Sequence, residues 1–237
     1  MKEEILGTLK VRIAGGTDGN GGGHGPVVVL LHGFGAPGED LVPLWQPLNL
    51  SASVRFVFPE APIKLDAFSD GRAWWLLDME KIARDMASGR GRDTQAIPKG
   101  LSEARASVIG LLNDLEHKWK ISTSQIILGG FSQGAMLACD VLFHTVRPFA
   151  GLVIMSGTLI AQEEWEKGIP NRRGLATFQS HGLQDPLLAY STAERLRDMF
   201  LKGGLSVDWH PFRGGHEIPA PVLEGLQSFL TNRFGHD

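Results

Sequence analysis

The hydrophobic positions of the chain form short continuous runs, which are separated by longer segments with helical spacing. The first run, VVVLL at residues 27–31, contains no polar residue, as is typical of a strand buried on both faces of a parallel sheet. Further runs predict strands at residues 54–59, 124–131, 149–157, 175–182 and 206–212. Residues 5–13 alternate apolar with polar side chains, which predicts an antiparallel edge strand.

Helical periodicity occupies several of the segments between and after these runs. It predicts helices at residues 100–120, 133–144, 189–204 and 220–234. Ser102 is a candidate N-cap for the first helix, and the second is apolar on nearly every side, which predicts deep burial. Strands that alternate with helices along the whole chain imply βα crossover units and one mostly parallel sheet, flanked by helices.

No shift in composition divides the chain, so a single domain is predicted over residues 1–237. Within it, residues 1–26 are expected to form an edge strand and a flexible, glycine-rich loop, GGTDGNGGGHG at 15–25. These glycines lack the G-x-x-x-x-G-K-[ST] order and precede a strand, so they do not predict a phosphate-binding loop.

Charge and composition exclude several classes of protein and of binding partner. The chain is 43% hydrophobic and 21% charged with a formal net charge of -3, so a nucleic-acid partner is not expected. Its single cysteine, Cys139, excludes an internal disulfide and is consistent with a reducing cytosol. No signal peptide and no apolar run near the roughly 18 residues of a membrane span are recognisable, which predicts a soluble, cytoplasmic protein without stable membrane insertion. No metal-ligand cluster or cofactor motif occurs, so neither a metal nor a cofactor is expected.

A serine lies where the strand predicted at 124–131 gives way to the buried helix. The sequence ILGGFSQGAML, residues 127–137, places Ser132 between Gly130 and Gly134. A nucleophile elbow needs small residues at these two positions, since its tight strand-to-helix turn brings helix and strand close together. The alternative is an ordinary glycine-rich turn in which Ser132 acts as an N-cap.

A serine hydroxyl becomes an effective nucleophile only when a base takes its proton, and a carboxylate orients that base. His216, in FRGGHEIP, lies between the last predicted strand and the last predicted helix. Asp185, in FQSHGLQDPLL, follows the strand predicted at 175–182. Ser132, Asp185 and His216 therefore occur in the chain order of α/β hydrolases, although either loop residue alone could simply be solvated.

The oxyanion of such a reaction needs two backbone N–H donors. One is expected from Gln133, the residue after the serine. The other is expected from Phe34, in the loop LLHGFGAPGEDL that follows the first buried strand. His32 in the same loop is interpreted as a structural residue that fixes the loop by hydrogen bonds.

Four segments, LLHGFGAPGEDL, GFSQGAML, SHGLQDPLL and GGHEI, resemble in order and spacing the phospholipase/carboxylesterase family, which includes bacterial carboxylesterases and acyl-protein thioesterases. The resemblance extends from about residue 27 to residue 230. It implies a compact α/β-hydrolase fold without a large cap domain. It also implies Ser132, Asp185 and His216 as the catalytic triad, with Phe34 and Gln133 as oxyanion donors.

The segment FPEAPIKLDAFSDGRAWWLLD, residues 58–78, is similar to the family segment that ends beside the acyl pocket. Trp74 and Trp75 are thus expected to contact substrate, and Phe131 is a further candidate for which core packing is the alternative. The expected activity is a serine carboxylesterase for short-to-medium acyl esters. A lysophospholipase or acyl-protein thioesterase for long acyl chains, and a catalytically inactive binding protein with the same fold, are the alternatives. The expected partner is a small acyl ester, and a homodimer is left open.

Overall fold

A mostly parallel β-sheet with helices on both faces organises the computed structural model, which describes residues 1–66, 69–78, 80, 84 and 93–235. The strands are β1 Lys2–Leu6, β2 Leu9–Gly16, β3 Asn20–Gly22, β4 Val27–Leu31, β5 Arg55–Pro59, β6 Ile63–Lys64, β7 Arg72–Ala73, β8 Ile126–Phe131, β9 Gly151–Met155, β10 Ala176–Gly182 and β11 Ser206–Phe212. The described helices are α1 Leu101–Lys118, α2 Gln133–Phe143, α3 Gln162–Gly168, α4 Tyr190–Lys202 and α5 Ala220–Phe234. All six predicted parallel strands and all four predicted helices are present.

The strand order of the main sheet is β1-β2-β5-β4-β8-β9-β10-β11, with β3 added beside β2. From β5 to β11 every neighbouring pair is parallel, whereas β1, β2 and β5 pair in antiparallel fashion. The chain passes from β4 to β5 on one side and later to β8 on the other. The strand order therefore reverses at β4, and ligands of α/β sheets bind beyond the carboxyl ends of strands at such a point.

The core lies on both faces of the sheet, as the apolar strand β4 requires. Its residues Val27, Val29 and Leu31 pack in the cluster under α1 to α4, while Val28 and Leu30 pack in the cluster under α5. Every residue of α2 is buried, which confirms the burial predicted from its sequence. The described residues contain no large cap domain above the sheet.

The edge strand predicted at residues 5–13 is instead a hairpin. Gly7 adopts a φ of 59° at the turn, and a Cβ there would lie 2.7 Å from the backbone carbon of Gly110. The turn makes β1 the edge strand and places β2 between β1 and β5. The loop predicted to be flexible also contains a short strand, β3, which pairs with β2. The Asp18 carboxylate accepts hydrogen bonds from the N–H groups of Asn20 and Gly22 in this strand at 2.7 and 2.8 Å.

The first long helix also begins differently from the prediction. Gly100, with a φ of 92°, is its N-cap residue. The Ser102 hydroxyl donates instead to the Glu103 carboxylate at 2.8 Å, inside the first turn. The predicted capping role of Ser102 was therefore wrong.

Asp140 connects three helices from a fully buried position on α2. Its carboxylate accepts hydrogen bonds from Arg105 on α1 at 2.8 Å and from the Trp165 indole on α3 at 3.0 Å. The imidazole of His144 lies 3.3 Å away. Because the carboxylate has no exposed surface, this cation and these donors take the place of water.

We expect Arg105→Leu to lower the free energy of unfolding by about 3 kcal/mol, since it leaves the buried Asp140 carboxylate without its cation. Urea denaturation measures the change. The matched control is Lys167→Met, which removes the exposed pair with Glu164 and is expected to change stability little. Equal losses in the two variants would contradict the stabilising role of the Arg105–Asp140 pair.

Candidate active site

The turn that follows β8 holds Ser132 in a strained conformation. Its backbone has a φ of 54° and a ψ of -116°, in a region that favours glycine, and its N–H donates to the Met155 carbonyl at 2.9 Å. A Cβ at Gly130 would lie 2.4 Å from the Leu31 carbonyl oxygen, and one at Gly134 would lie 2.0 Å from it. Only glycine fits at both positions, because the end of β4 contacts the backbone of the turn directly.

The Ser132 side chain does not cap α2, although Ser132 occupies the N-cap position. Its hydroxyl makes no hydrogen bond to any residue that the structure describes. The N-cap alternative therefore does not explain the serine, and the hydroxyl is available at the amino end of a buried helix.

Asp185 and His216 lie together beyond the ends of β10 and β11. The Nδ1 atom of His216 donates to Oδ2 of Asp185 at 2.7 Å. The other carboxylate oxygen accepts hydrogen bonds from the N–H groups of Leu187 and Leu188 at 2.8 and 2.9 Å. Burial raises the pKa of the Asp185 carboxyl, but these hydrogen bonds outweigh burial, so its pKa lies below the ordinary value.

His216 lies beside the turn that contains Ser132. Its ring centroid is 4.8 Å from that of Phe131, the residue before the serine. No hydrogen bond joins the imidazole to the Ser132 hydroxyl among the described residues. Catalytic hydrogen bonds of this kind often form only when substrate is bound. The structure thus brings Asp185 and His216 into direct contact, and it brings His216 against the neighbour of Ser132.

Phe34 and Gln133 follow two adjacent strands. Leu31 of β4 pairs with Gly130 of β8, and each of the two residues lies three positions beyond its member of this pair. A Cβ at Gly33 would lie 3.3 Å from Cβ of Ser132, so the loop containing Phe34 passes directly beside the serine. No described residue accepts a hydrogen bond from either backbone N–H, which leaves both donors free.

Trp74 and Trp75 lie in the core instead of at an open surface. Each is 1% exposed, and both pack in the cluster under α1 to α4. Neither ring offers surface to a ligand in this conformation. Phe131 is half-buried and keeps part of its ring at the site. Residues 79, 81–83 and 85–92, which follow the two tryptophans, lie outside the described part of the chain.

A second histidine supports the loop that contains Asp185. His181 is fully buried at the end of β10, and its Nε2 atom donates to the Leu188 carbonyl at 2.8 Å while lying 3.3 Å from Oδ2 of Asp185. Burial lowers its pKa from 6.5, so the ring is neutral. His181 precedes Asp185 in the chain, so the order serine, acid, histidine does not select it. Its place at a strand end four residues before Asp185 was the available signal.

The described residues contain no group of three or more histidine, cysteine, aspartate or glutamate side chains able to hold a metal ion. They likewise include no helix with the length and apolar character needed to cross a bilayer.

The buried His181 makes stability depend on pH. An unfolded chain binds a proton at this imidazole below about pH 6.5, whereas the folded protein keeps it neutral to lower pH. Stability is therefore lost as the pH falls below about 6.5. We expect the loss between pH 7.5 and 5.5 to be smaller in His181→Gln, by at most about 1.4 kcal/mol per pH unit.

Urea denaturation at the two pH values measures this difference. His117→Gln, which removes an exposed histidine, is the matched control and is expected to keep the wild-type dependence. Asp185 stays ionised over this range because its pKa lies below 3.8. An unchanged acid dependence in His181→Gln would contradict a neutral, buried ring.

Comparisons with known proteins identify the family of the chain. A family model described as Phospholipase/Carboxylesterase matches residues 20–233. The chain is 29% identical over 218 residues to Acyl-protein thioesterase 1 of Mycosarcoma maydis, with 85% of this chain and 88% of that protein covered. It is 25% identical over 224 residues to Lysophospholipase-like protein 1 of Mus musculus, with 90% and 88% covered.

Solved structures give the same result. The crystal structure of esterase PE8 has 28% sequence identity and a TM-score of 0.81, and the match covers 94% of this chain and 98% of that one. The Bacillus cereus carboxylesterase, at 19% identity and a TM-score of 0.68 over 95% of both chains, is similar in fold. Because the family model matches most of the sequence and the fold agrees with it, the chain belongs to the Phospholipase/Carboxylesterase family of α/β hydrolases, which are enzymes that hydrolyse esters.

Proposed function

We propose that the protein is a serine carboxylesterase that hydrolyses short-to-medium acyl esters, with Ser132, Asp185 and His216 as its triad. Family membership supports esterase or thioesterase activity. The observation on which the residue assignment depends is the 2.7 Å hydrogen bond from His216 to a buried, ionised Asp185, beside a strained serine. The backbone N–H groups of Leu187 and Leu188 fix the carboxylate that orients this imidazole.

The reaction follows from the positions of these groups. Nε2 of His216 takes the Ser132 proton, and the serine oxygen attacks the acyl carbon. The imidazolium then gives the proton to the departing alcohol, which leaves an acyl-enzyme. Water, deprotonated by the same imidazole, attacks the acyl-enzyme and releases the carboxylic acid. Asp185 keeps Nδ1 protonated and stabilises the imidazolium throughout.

The negative charge of each tetrahedral intermediate is assigned to the backbone N–H groups of Phe34 and Gln133. Gln133 is the first residue of α2, so the partial positive charge of this helix end adds to the same field. Both donors are free of acceptors among the described residues, as an oxyanion site requires before substrate binds.

The surface around the acid loop suits an apolar acyl group. Leu183 and Leu187, which flank Asp185, are 46% and 57% exposed, and Phe131 lies half-buried beside His216. Exposed aliphatic side chains beside a charged dyad fit the hydrocarbon part of an ester better than a sugar or a charged group. Trp74 and Trp75 are left out of this surface because they are buried.

The alternative is a lysophospholipase or acyl-protein thioesterase for long acyl chains. The observation that favours it is the set of curated relatives, whose names are Acyl-protein thioesterase 1 and Lysophospholipase-like protein 1. An inactive binding protein is disfavoured, because it would have no need of a strained serine or of an oriented imidazole.

We also propose a cytoplasmic location and no nucleic-acid partner. The single cysteine, Cys139, supports the first, since an oxidising compartment favours disulfides. The net charge of -3 supports the second. A homodimer is tested by the molar mass in solution.

Ser132→Ala is expected to lower turnover of p-nitrophenyl butyrate by about 10⁴-fold or more while leaving the fold intact, because the nucleophile is lost. Steady-state rates and circular dichroism measure the two effects. Ser107→Ala, which removes an exposed hydroxyl on α1, is the control and is expected to keep full activity. Near-full activity in Ser132→Ala would overturn the triad. A folded wild-type protein that fluorophosphonate does not label would favour the inactive alternative.

Acyl-chain length separates the two enzyme candidates. We expect kcat/KM to be highest for nitrophenyl esters of C4 to C8 and to fall at C16, and to be higher for oxygen esters than for matched thioesters. A maximum at C16, or a clear preference for thioesters, would favour the long-chain alternative. No turnover at any length would count against both.

A further inference from the structure

We propose that the side chains of Gln133 and Trp74 are positioning residues that hold the two oxyanion donors in register. This inference rests on the proposed function, and it assigns a role to two buried side chains that the triad does not use. Phe34 lies in the loop after β4 and Gln133 is the first residue of α2, so both donors lie beyond the residues by which β4 and β8 pair. The direct contact between the end of β4 and the start of α2 brings the two segments together. The exact placement of each N–H group further depends on the side chains that hold its segment.

The first connection is made by the amide side chain of Gln133, which is 1% exposed. Its Oε1 atom accepts a hydrogen bond from the backbone N–H of Trp74 at 2.9 Å. Its Nε2 atom donates to the Trp75 carbonyl at 2.8 Å. These two bonds attach the start of α2, and with it one oxyanion donor, to the segment that contains the tryptophans.

The second connection leads from that segment to the other donor. The Trp74 indole Nε1 donates to the His32 carbonyl at 2.9 Å. The same indole contacts the His32 ring, with the ring centroids 5.4 Å apart. Since Phe34 follows His32 by two residues, the indole holds the loop that contains the second donor.

The side chain of His32 fixes the backbone of this loop by two hydrogen bonds. Its Nε2 atom accepts the Ala61 N–H at 3.0 Å, so the protonated nitrogen is Nδ1, which donates to the Gly33 carbonyl at 2.8 Å. Burial lowers the pKa of the imidazole, which keeps this neutral tautomer. The peptide between His32 and Phe34 is therefore held from both sides, by the Trp74 indole and by the His32 ring.

Two hydrogen bonds in series, from the Trp74 backbone to the Gln133 side chain and from the Trp74 indole to the His32 carbonyl, connect the two donor segments. We call this connection the strut. An oxyanion hole is effective only when both donors lie about 2.7–3.1 Å from the oxyanion, and a misplacement of about 1 Å can cost about 10²-fold in rate. Breaking the strut would leave both N–H groups present but imprecisely placed. The rate should then fall less than the roughly 10²–10³-fold that follows complete loss of a donor.

The test compares Trp74→Phe and Gln133→Met with Trp165→Phe. The last variant makes the same change at another fully buried tryptophan, whose indole also donates one hydrogen bond, to Asp140. We expect kcat for p-nitrophenyl butyrate to fall about 10-fold in the two strut variants, with KM within about twofold. Affinity for a trifluoromethyl ketone, whose serine adduct places an oxyanion in the hole, should fall by the same factor. The pH dependence of kcat should not move, because His216 and Asp185 are untouched.

Trp165→Phe is expected to lose stability but to keep kcat and inhibitor affinity. The double variant Trp74→Phe/Gln133→Met should cost little more than the worse single variant, because both changes break one strut. If Trp74→Phe does not fold, Gln133→Met answers the same question, since methionine has a similar volume and keeps the backbone N–H.

The proposal is overturned if the strut variants lose only stability and keep wild-type kcat and inhibitor affinity. It is also overturned if their losses in kcat are fully additive. A wild-type protein without acyl-ester turnover, or a Ser132→Ala variant with full turnover, overturns the proposed function and the strut with it, so the two failures are distinguishable.

Discussion

The direct backbone contact between the end of β4 and the start of α2 is the constraint on which the rest of the site depends. A Cβ at Gly134 would lie 2.0 Å from the Leu31 carbonyl oxygen, so only a residue without a side chain permits the approach. This contact brings the loop after β4 beside Ser132 and forces the serine into a backbone conformation with a φ of 54°. The sheet hydrogen bonds of β8 and the burial of the whole of α2 offset the strain.

Much of the fold was predictable because its central strands have a simple sequence signature. Residues 27–31 and 206–212 match β4 and β11, and residues 220–234 match α5. Uninterrupted apolar runs identify strands covered on both faces, whatever they pair with. The hairpin of β1 and β2 was missed for the opposite reason. It depends on a glycine turn that packs against the distant Gly110, and the alternation of apolar and polar residues within a segment does not predict such a contact.

In the candidate site, too, some residues were predictable from the sequence and others were not. Chain order and position at strand ends were enough to select Asp185 and His216, and the structure joins them by a hydrogen bond. The positions of Trp74 and Trp75 could not be derived, because an aromatic motif does not specify whether its rings face a ligand or the core. Trp74 is bonded to Gln133 and His32, and Trp75 to Gln133, and both of these partners lie far away in sequence. The supporting role of His181 likewise depends on the path of the loop that returns beside it.

Helix α2 is enclosed on all sides, and this has a consequence for substrate choice. A helix without a solvent-facing residue cannot tilt or slide without opening cavities in two packed layers. Ser132 at its amino end, which we propose as the nucleophile, is therefore a fixed point, so different acyl groups would have to be accommodated by movement of the surrounding loops. On the proposed function, variants with new selectivity should thus arise from changes near the exposed Leu183 and Leu187, while the serine keeps the same place in every one of them.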